Sequence, residues 1–447
     1  MTIEILSIGG YNEVGKNMTA VKVDNDVIIF DAGLYMPAIV ELQERENENT
    51  GERKLRDIGA LPDDEVLDKI GWRSKTKALA IGHAHLDHVG AAPYISYRYK
   101  SDIVGTPYTI AVLKRLVEDN SGRIVNPIKT VQPNAIYPIK GTKLSIEFVN
   151  MTHSTPQTAC MVLHTPEGAV VYANDYKLDN SPILGQPPNY EALKRIGKQG
   201  VKALIIDSLY SSEERKTPSE KIARDYLEEV LLTINNEKNA VFVTTFSSHI
   251  ARLKSIVDFG KKMNRQIIFL GRSLKKYTEA SIDSQVCPFK KDIRIGSFKK
   301  QVASILKKIE KDRDKYLGVC TGHQGEPGSI LERVSRSDLP FNFKKEDTVV
   351  FSSRTIPVPI NMSNKEQVDK RLKKASVRIF DNVHVSGHGG REDARDLIRL
   401  LNPENIVPSH GDLTKTSPMA ELAKELGYKL GSSVYLVENG QKITLNK

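Results

Sequence analysis

The chain has 447 residues, of which 39% are hydrophobic and 27% are charged, and these proportions are ordinary for a soluble globular protein. No segment approaches about 18 continuous apolar residues, so the composition excludes a predicted membrane span. An excess of Lys and Arg gives a formal net charge of +10, which favours an anionic partner and nucleic acid first, although a solvated basic surface would give the same number.

Short strands dominate the first part of the chain. Asp24-Asn25-Asp26 separates two apolar runs, which predicts a hairpin, and Asp31 directly follows its second strand. The other predicted strands of this part that lead to a histidine or an aspartate are Lys77–Ile81, Leu144–Asn150, Ala169–Ala173 and Ala203–Ile206. Because proteins that mix helices and strands concentrate their chemistry where strands end, we expect a site at these positions.

From about Ser208 the pattern changes, and helices alternate with compact apolar strands. This alternation predicts βαβ units and therefore a small parallel sheet. The predicted strands are Ala240–Thr245, Gln266–Leu270, Tyr316–Cys320 and Thr348–Phe351. After Lys374 the first pattern returns. It predicts a strand at Val377–Phe380, the helix Arg391–Leu401, a strand at Ile406-Val407 and a closing hairpin from Val434–Val437 to Lys442–Leu445.

Three histidines and an aspartate lie within six residues, in the sequence His83-Ala84-His85-Leu86-Asp87-His88. Imidazole and carboxylate groups suit zinc, and two neighbouring metal ions need two such ligand sets. Manganese is the alternative for a site rich in oxygen and nitrogen. A solvated histidine-rich loop is the alternative without metal, and the strand directly before His83 argues against it.

More distant residues at strand ends would complete the two sets. Asp175 is suited to bridge two metal ions, and His153 and His410 would supply further imidazoles. Two metal ions about 3.5–4 Å apart can hydrolyse a phosphodiester by an in-line attack. The pattern therefore predicts a dinuclear phosphodiesterase site.

At this point the residues resemble the metallo-β-lactamase superfamily and, within it, the β-CASP nucleases of the ribonuclease J family in its archaeal form. The resemblance covers essentially the whole chain. It rests on the opening segment Ile8–Met18, on His83–His88, His153–Pro156 and Asp207-Ser208, and on His384–Gly389 and Pro408–Gly411.

The resemblance implies two ligand sets for zinc that share a bridging carboxylate from Asp175. The first set would comprise His83, His85 and His153. The second would comprise Asp87, His88 and His410. Asp31 would support this site from behind the ligands.

The resemblance also implies roles in catalysis and in RNA binding. His388 would stabilise charge on the phosphate or help the leaving group, and Asp207 would orient a water molecule or a ligand. Asp87 is expected to be a catalytic residue as well as a metal ligand. The expected contacts to a terminal 5′-phosphate or to its neighbourhood are Ser247, His384, Ser386, Gly387 and Arg354, because small hydroxyls and exposed N–H groups cradle phosphate oxygens.

The implied fold is a metallo-β-lactamase αββα sandwich interrupted by an inserted β-CASP α/β domain with a mostly parallel sheet. We expect the first part of the sandwich at 1–208, the insertion at 209–370 and the second part at 371–447, with single-stranded RNA in the cleft between the domains. The three cysteines form no Cys-x-x-Cys pair, and the N-terminus lacks the features of a signal peptide, so we expect the cytoplasm.

The implied activity is zinc-dependent 5′-to-3′ exonucleolytic cleavage of RNA that favours a 5′-monophosphate, with no membrane partner. An endoribonuclease of the 3′-end cleavage factor type is the alternative within the same enzymes. A thioester or lactam hydrolase disagrees with the β-CASP motifs, and a metal-free RNA-binding relative would lack ligands that are present here. The sequence leaves open whether the chain forms a homodimer.

Overall fold

The computed structural model describes residues 2–45, 51–119, 124–356 and 358–445. The chain divides into two compact units. Unit 1 comprises Met1–Asn180, Gln186–Thr217 and Gly387–Lys447, and unit 2 comprises Ser181–Gly185 and Pro218–Ser386. The polypeptide therefore leaves unit 1 to build unit 2 and then returns to complete unit 1.

The strands of the described residues are β1 (Ile3–Gly9), β2 (Met18–Val23), β3 (Asp26–Phe30), β4 (Thr76–Ile81), β5 (Asp102–Gly105), β6 (Ile128–Thr130), β7 (Ile136–Pro138), β8 (Ser145–Asn150), β9 (Ala159–Thr165), β10 (Gly168–Ala173), β11 (Val201–Asp207), β12 (Val241–Thr244), β13 (Gln266–Leu270), β14 (Ile293–Gly296), β15 (Tyr316–Cys320), β16 (Thr348–Phe351), β17 (Arg378–Phe380), β18 (Ile406–Ser409) and β19 (Lys442–Leu445).

The helices of the described residues are α1 (Met36–Arg45), α2 (Glu52–Asp57), α3 (Val66–Lys69), α4 (Leu86–Val89), α5 (Ala92–Ile95), α6 (Pro107–Asp119), α7 (Tyr190–Gln199), α8 (Glu220–Leu232), α9 (Ile250–Lys262), α10 (Arg272–Asp283), α11 (Lys299–Lys311), α12 (Ile330–Ser335), α13 (Pro359–Lys374), α14 (Arg391–Leu401) and α15 (Leu413–Glu425). None of these helices is both long enough and apolar enough to cross a membrane.

Unit 1 contains two sheets that share one core. The first sheet has the order β19-β1-β2-β3-β4-β5-β6, and the second has the order β18-β11-β10-β9-β8-β7. Buried side chains of both sheets pack together, and the ring of Phe30 from the first stacks on Tyr172 from the second at 5.2 Å. Apolar side chains of α7, α14 and α15 cover the other face of the second sheet, while α6 packs on β5 and β6. This αββα arrangement is the predicted one.

Unit 2 is built around a third sheet with the order β14-β13-β15-β12-β16-β17. Every pairing in this sheet is parallel, as the alternation of helices and strands predicted. A parallel sheet needs apolar residues on both faces, which explains why these strands are continuous apolar runs such as Val241–Thr244. Buried side chains of α11 and α13 belong to its core.

Two strand predictions near the end of the chain need correction. The strand at Val377–Phe380 does form, as β17, but it pairs with β16 and belongs to unit 2 rather than to the returning sandwich, so unit 2 extends to Ser386. The closing hairpin is wrong. Lys442–Leu445 pairs with β1 across the edge of the first sheet, and Val434 instead bridges Ile406 and Leu430. The backbone groups of both segments therefore form their hydrogen bonds with other parts of unit 1, and not with each other across the turn at Glu438-Asn439-Gly440.

The three cysteines are free thiols. Cys160 and Cys320 are buried, and burial raises the pKa of the Cys320 thiol to about 12. Both therefore act as small apolar side chains of the cores.

Candidate metal centre

Five of the titratable residues singled out by the sequence lie where strands of the two sheets of unit 1 end. Asp31 follows β3, His83 follows β4, Asp175 follows β10, Asp207 ends β11 and His410 follows β18. Asp31, Asp175 and His410 have left-handed backbone conformations, with φ of 61°, 57° and 60°. Such conformations are costly for residues other than glycine and collect at functional sites.

Two groups of side chains in unit 1 are close enough to hold a metal ion. The ligand atoms within each group lie within 4.8 Å of one another. The first group is His83, His85, His153 and Asp175, and the second is Asp87, His88, Asp175 and His410. These are the residues that the resemblance divided between two zinc ions, with Asp175 in both groups.

The two oxygens of the Asp175 carboxylate face different groups. Oδ2 lies 3.3 Å from His83 Nε2 and 3.5 Å from His153 Nε2. Oδ1 lies 3.2 Å from His88 Nε2 and 3.6 Å from His410 Nδ1. A carboxylate placed in this way can bridge two neighbouring cations.

The donor atoms fit metal ions better than they fit one another. Asp175 is 1% exposed, and its buried Oδ1 has no hydrogen-bond partner among the described residues. Burying a carboxylate oxygen without a partner is costly unless a cation lies against it. Imidazole nitrogens and carboxylate oxygens in two such groups are the ligands that zinc accepts.

Hydrogen bonds behind the histidines fix which nitrogen faces the centre. His88 Nδ1 donates to Asp31 Oδ2 at 2.7 Å, and His153 Nδ1 donates to the carbonyl of Gly387 at 2.8 Å. Each bond turns Nε2 towards Asp175, which is the usual way in which an outer residue orients a metal-binding imidazole. Asp31 thus occupies the supporting position that the resemblance implied.

The charges of the cluster suit metal binding. Burial lowers the pKa of His85 and of His153 well below the usual value, so both imidazoles are neutral at pH 7, the form that binds metal. Burial alone would raise the pKa of Asp175, but the neighbouring His410 and His88 hold it well below its usual range. The first ligand group therefore offers neutral nitrogen donors from His85 and His153 beside the Asp175 carboxylate.

His388 lies beside the two ligand groups and faces two carboxylates. Its Nδ1 donates to Asp207 Oδ2 at 2.8 Å, and its Nε2 lies 3.8 Å from Asp175 Oδ2. Burial lowers the pKa of His388, but the negative charges of Asp175 and Asp207 outweigh it and raise that pKa to about 9. Asp207, His388 and His410 also form a group that could hold a cation.

Glycines allow the backbone to approach the ligands closely. A Cβ on Gly33 would lie 1.7 Å from the carbonyl oxygen of Asp87, and a Cβ on Gly387 would lie 2.9 Å from the ring of His153. Gly387 was predicted to contact phosphate. Its close approach to His153 is a separate reason why a residue with a side chain would not fit at this position.

Two residues around the centre were not singled out by the sequence analysis. Asn17 has its amide nitrogen 3.0 Å from His88 Nε2 and its oxygen 3.0 Å from His410 Nδ1. Thr217 Oγ1 donates to the carbonyl of His388 at 2.7 Å. Asn17 belongs to the opening segment that carried the resemblance, but nothing in its local pattern reveals that it touches two ligands.

The remaining residues expected to bind phosphate lie in unit 2. They are Ser247, His384, Ser386 and Arg354. His384 and Phe246 have ring centroids 6.3 Å apart, and the buried Arg252 lies 3.4 Å from His384 Nδ1. Arg354 has an exposed side chain, and its carbonyl accepts a hydrogen bond from Gln324 at 3.0 Å.

Family models match the second half of the chain. The model described as "Ribonuclease J, beta-CASP domain" matches residues 238–373. The model described as "Zn-dependent metallo-hydrolase RNA specificity domain" matches residues 375–435, which include His388 and His410.

A solved structure shares the fold of the whole chain. It is a protein of unknown function from Enterococcus faecalis, with a TM-score of 0.67, 15% identity and complete coverage of both chains. At this identity the likeness concerns the fold alone.

Curated relatives match over the full length. The chain is 42% identical to ribonuclease J of Methanocaldococcus jannaschii, covering 100% of both chains. It is also 42% identical to ribonuclease J of Pyrococcus abyssi, covering 99% of this chain and 97% of the relative. A bacterial relative, ribonuclease J 1 of Streptococcus pyogenes, is 27% identical, and the match covers 99% of this chain and 74% of the relative. With its αββα fold and its paired histidine and aspartate groups, this chain belongs to the ribonuclease J family of metal-dependent nucleases.

Proposed function

We propose that this nuclease of the ribonuclease J family degrades single-stranded RNA from the 5′ end, that it favours a 5′-monophosphate, and that it uses two zinc ions. The observation that carries the metal part of the proposal is the Asp175 carboxylate, whose two oxygens face two separate groups of ligands. Relatives named ribonuclease J support the choice of RNA.

The first zinc ion would be held by His83, His85 and His153, and the second by Asp87, His88 and His410, with Asp175 between them. When bound, two zinc ions supply Lewis acidity that withdraws charge from the phosphate and activates a water molecule at neutral pH. The supporting residue Asp31 would keep His88 in the orientation that binding needs, through the bond between His88 Nδ1 and Asp31 Oδ2.

We assign the handling of the substrate phosphate to His388. Its Nδ1–H is fixed by Asp207, so its Nε2 faces the carboxylate that both ligand groups share. From this position Nε2–H can donate to a non-bridging phosphate oxygen or pass a proton to the leaving oxygen. Asp207 then acts as a positioning residue, because it holds the imidazole in one orientation.

The choice of the 5′ end would come from a pocket for the terminal phosphate. Ser247, His384, Ser386 and Arg354 of unit 2 remain our candidates for its contacts. A pocket that holds the terminal phosphate sets the distance from the end of the RNA to the bond that is cut, which makes removal of one nucleotide at a time a geometric consequence.

The test is cleavage of one single-stranded RNA that is labelled at its 5′ end in one sample and at its 3′ end in another. Each is prepared with a 5′-monophosphate and with a 5′-triphosphate. We expect immediate release of a labelled mononucleotide from the 5′-monophosphate RNA and resistance of the triphosphate. Internal fragments formed equally from both would instead make the chain an endoribonuclease.

We also propose that the protein acts in the cytoplasm. Two of its three free thiols are buried in the cores, as is common in proteins of reducing compartments. A homodimer stays a prediction that sedimentation of the zinc-loaded protein would test.

A further inference from the structure

The parallel sheet of unit 2 gathers its loops at one edge. Because all its strands run in the same direction, the segments that follow them leave the sheet on one side, where α/β folds usually bind ligands. In the order β14, β13, β15, β12 these segments begin with Ser297-Phe298, Gly271-Arg272, Thr321-Gly322-His323 and Thr245-Phe246. Four neighbouring strands thus bring two phenylalanines, a histidine and an arginine to a single edge.

The aromatic rings at this edge are accessible. Phe298 is 61% exposed, which is unusual for so large an apolar side chain, and the ammonium group of Lys275 lies 5.1 Å from its ring centroid. Phe246 is half-buried, and its ring meets that of His323 at 4.3 Å. Burial lowers the pKa of His323, so at pH 7 it presents a neutral ring beside Phe246.

The segment that contains Arg272 and Phe298 is strongly basic. Residues 272–311 contain eleven Lys or Arg and four Asp or Glu, so most of the excess charge of the chain lies here. The side chains of Arg272 and Lys275 are exposed on α10 directly after the edge. An apolar protein partner would not need this excess of positive charge, whereas a polyanion would.

We propose that this edge is a track for single-stranded RNA, on which bases stack on Phe298 and Phe246 while Arg272 and Lys275 contact phosphates. Alternating aromatic and basic side chains are the means by which proteins hold single strands without reading their sequence. The track rests on the proposed function, because it adds a contact surface for the RNA that the chain degrades.

The spacing of the strands makes the track dependent on RNA length. The carboxyl ends of β14 and β12 are separated by three strand spacings, or about 14 Å. Only an RNA of several nucleotides can therefore reach from Phe246 to Phe298. Very short RNAs gain nothing from the far ring.

The test compares Phe298→Ala with the wild type, both loaded with zinc, in binding to phosphorothioate RNAs of about 2 and about 20 nucleotides that carry a fluorescent label. A gel run after each titration checks that the RNA is intact. We expect roughly tenfold weaker binding of the long RNA and unchanged binding of the short one, since stacking of a base on an aromatic ring contributes to this extent. Phe298→Leu should lose most of the same affinity, because leucine keeps apolar contact but offers no ring.

Lys275→Ala gives a second and different readout. Removing one phosphate contact should reduce the slope of log affinity against log salt by about 0.7, which is the value for a single strand. The matched control is Tyr226→Ala, which removes another exposed aromatic ring of unit 2, from α8 instead of the edge.

Equal affinity of Phe298→Ala and wild type for the long RNA would overturn the track, and so would an equal loss for both lengths. Cleavage of unmodified RNA by the wild type is measured in parallel. A chain that binds with this length dependence but does not cut RNA would overturn the proposed function and leave the track standing.

Discussion

At the scale of single residues, we have assigned the handling of the substrate phosphate to the pair formed by Asp207 and His388. Asp207 is buried and accepts the Nδ1–H of His388, while it also accepts the backbone N–H of Leu209 at 2.8 Å. Both carboxylate oxygens are therefore used for orientation. An amide in place of the carboxylate would keep the shape but could present an N–H to Nδ1 and favour the wrong tautomer of His388.

We expect Asp207→Asn to lower kcat by about 100-fold and to change KM by no more than about threefold, because the RNA still binds while His388 is misoriented. The measurement is the initial rate of release of labelled mononucleotide over a range of RNA concentrations, together with the zinc content of the variant. The control is Glu213→Gln, which alters a half-buried carboxylate that pairs with Arg215 in the loop after β11.

The zinc content of the variant shows whether Asp207 positions His388 or binds a metal ion itself. Asp207 also belongs to a group that could hold a cation with His388 and His410. A variant that loses zinc along with its activity would show that Asp207 is a ligand and would contradict the positioning role.

At the scale of elements, a buried ion pair ties together the parts of unit 2 near its carboxyl edge. Arg252 of α9 is fully buried, and its Nε and Nη2 donate to the two carboxylate oxygens of Glu220 of α8 at 2.5 and 2.9 Å. Its Nη1 donates to the carbonyl of Ser352 at 2.8 Å and to that of Val383 at 3.3 Å. One guanidinium thus links two helices with the segments that follow β16 and β17.

This pair gives the stability of unit 2 a predictable dependence on pH. Burial alone would raise the pKa of Glu220, but Arg252 and His249 hold it well below its usual value. A carboxyl whose pKa is lower in the folded state stabilises that state fully above its unfolded pKa of about 4.3, and this contribution is lost as the pH falls through the folded pKa. We expect the free energy of unfolding of unit 2 to decrease as the pH falls below about 4.3.

Glu220→Gln should reduce this dependence and lower the free energy of unfolding at pH 7 by about 3–5 kcal/mol, because Arg252 is left buried without its counter-charge. Urea unfolding followed at several pH values measures both effects. The control is Glu366→Gln, which breaks an exposed pair with Lys370 on α13 and should leave the unfolding curve unchanged. An equal response of both variants would mean that the buried pair contributes nothing special.

Sequence patterns predicted elements well where local signals suffice. The helix Arg391–Leu401 has the predicted ends, because apolar residues recur at helical spacing and Asn402 ends it in a left-handed conformation. The closing hairpin failed because the partner of β19 is β1, more than 400 residues away, and no local pattern reports such a pairing. β17 was assigned to the wrong sheet for the same reason, since three residues cannot indicate which neighbour they will join.

At the scale of the whole molecule, the metal centre joins chain segments that are far apart in the sequence. Its candidate ligands come from residues 83–88, from 153 and 175, and from 410, which the polypeptide reaches only after it has built unit 2. The spacing of His83, His85 and His88 predicted that these three side chains would meet, and their donor atoms do lie together in the two groups. The contacts of Asn17 with His88 and His410 could not be predicted, because they depend on how the first and last parts of unit 1 meet.

This organisation leads us to expect that zinc stabilises unit 1 as well as enabling cleavage. Zinc at about 1,000 times its dissociation constant would add about 4 kcal/mol for each site that binds the folded state alone. With both sites filled, the Tm of unit 1 should therefore rise by roughly 15–20 °C when zinc is added to chelator-treated protein. His85→Ala should bind less zinc and show a smaller rise, because it removes a nitrogen from the first ligand group.

His164→Gln is the matched control for this last prediction. His164 is a histidine of unit 1 outside the ligand groups, and its Nε2 contacts Glu147 at 2.8 Å. Differential scanning fluorimetry with and without zinc, combined with elemental analysis of bound metal, should give the full rise and the full zinc content for this variant. If chelator-treated wild type melts at the same temperature as zinc-loaded protein, the buried oxygen of Asp175 is compensated by the protein alone, and the argument that the fold depends on a cation at this place fails.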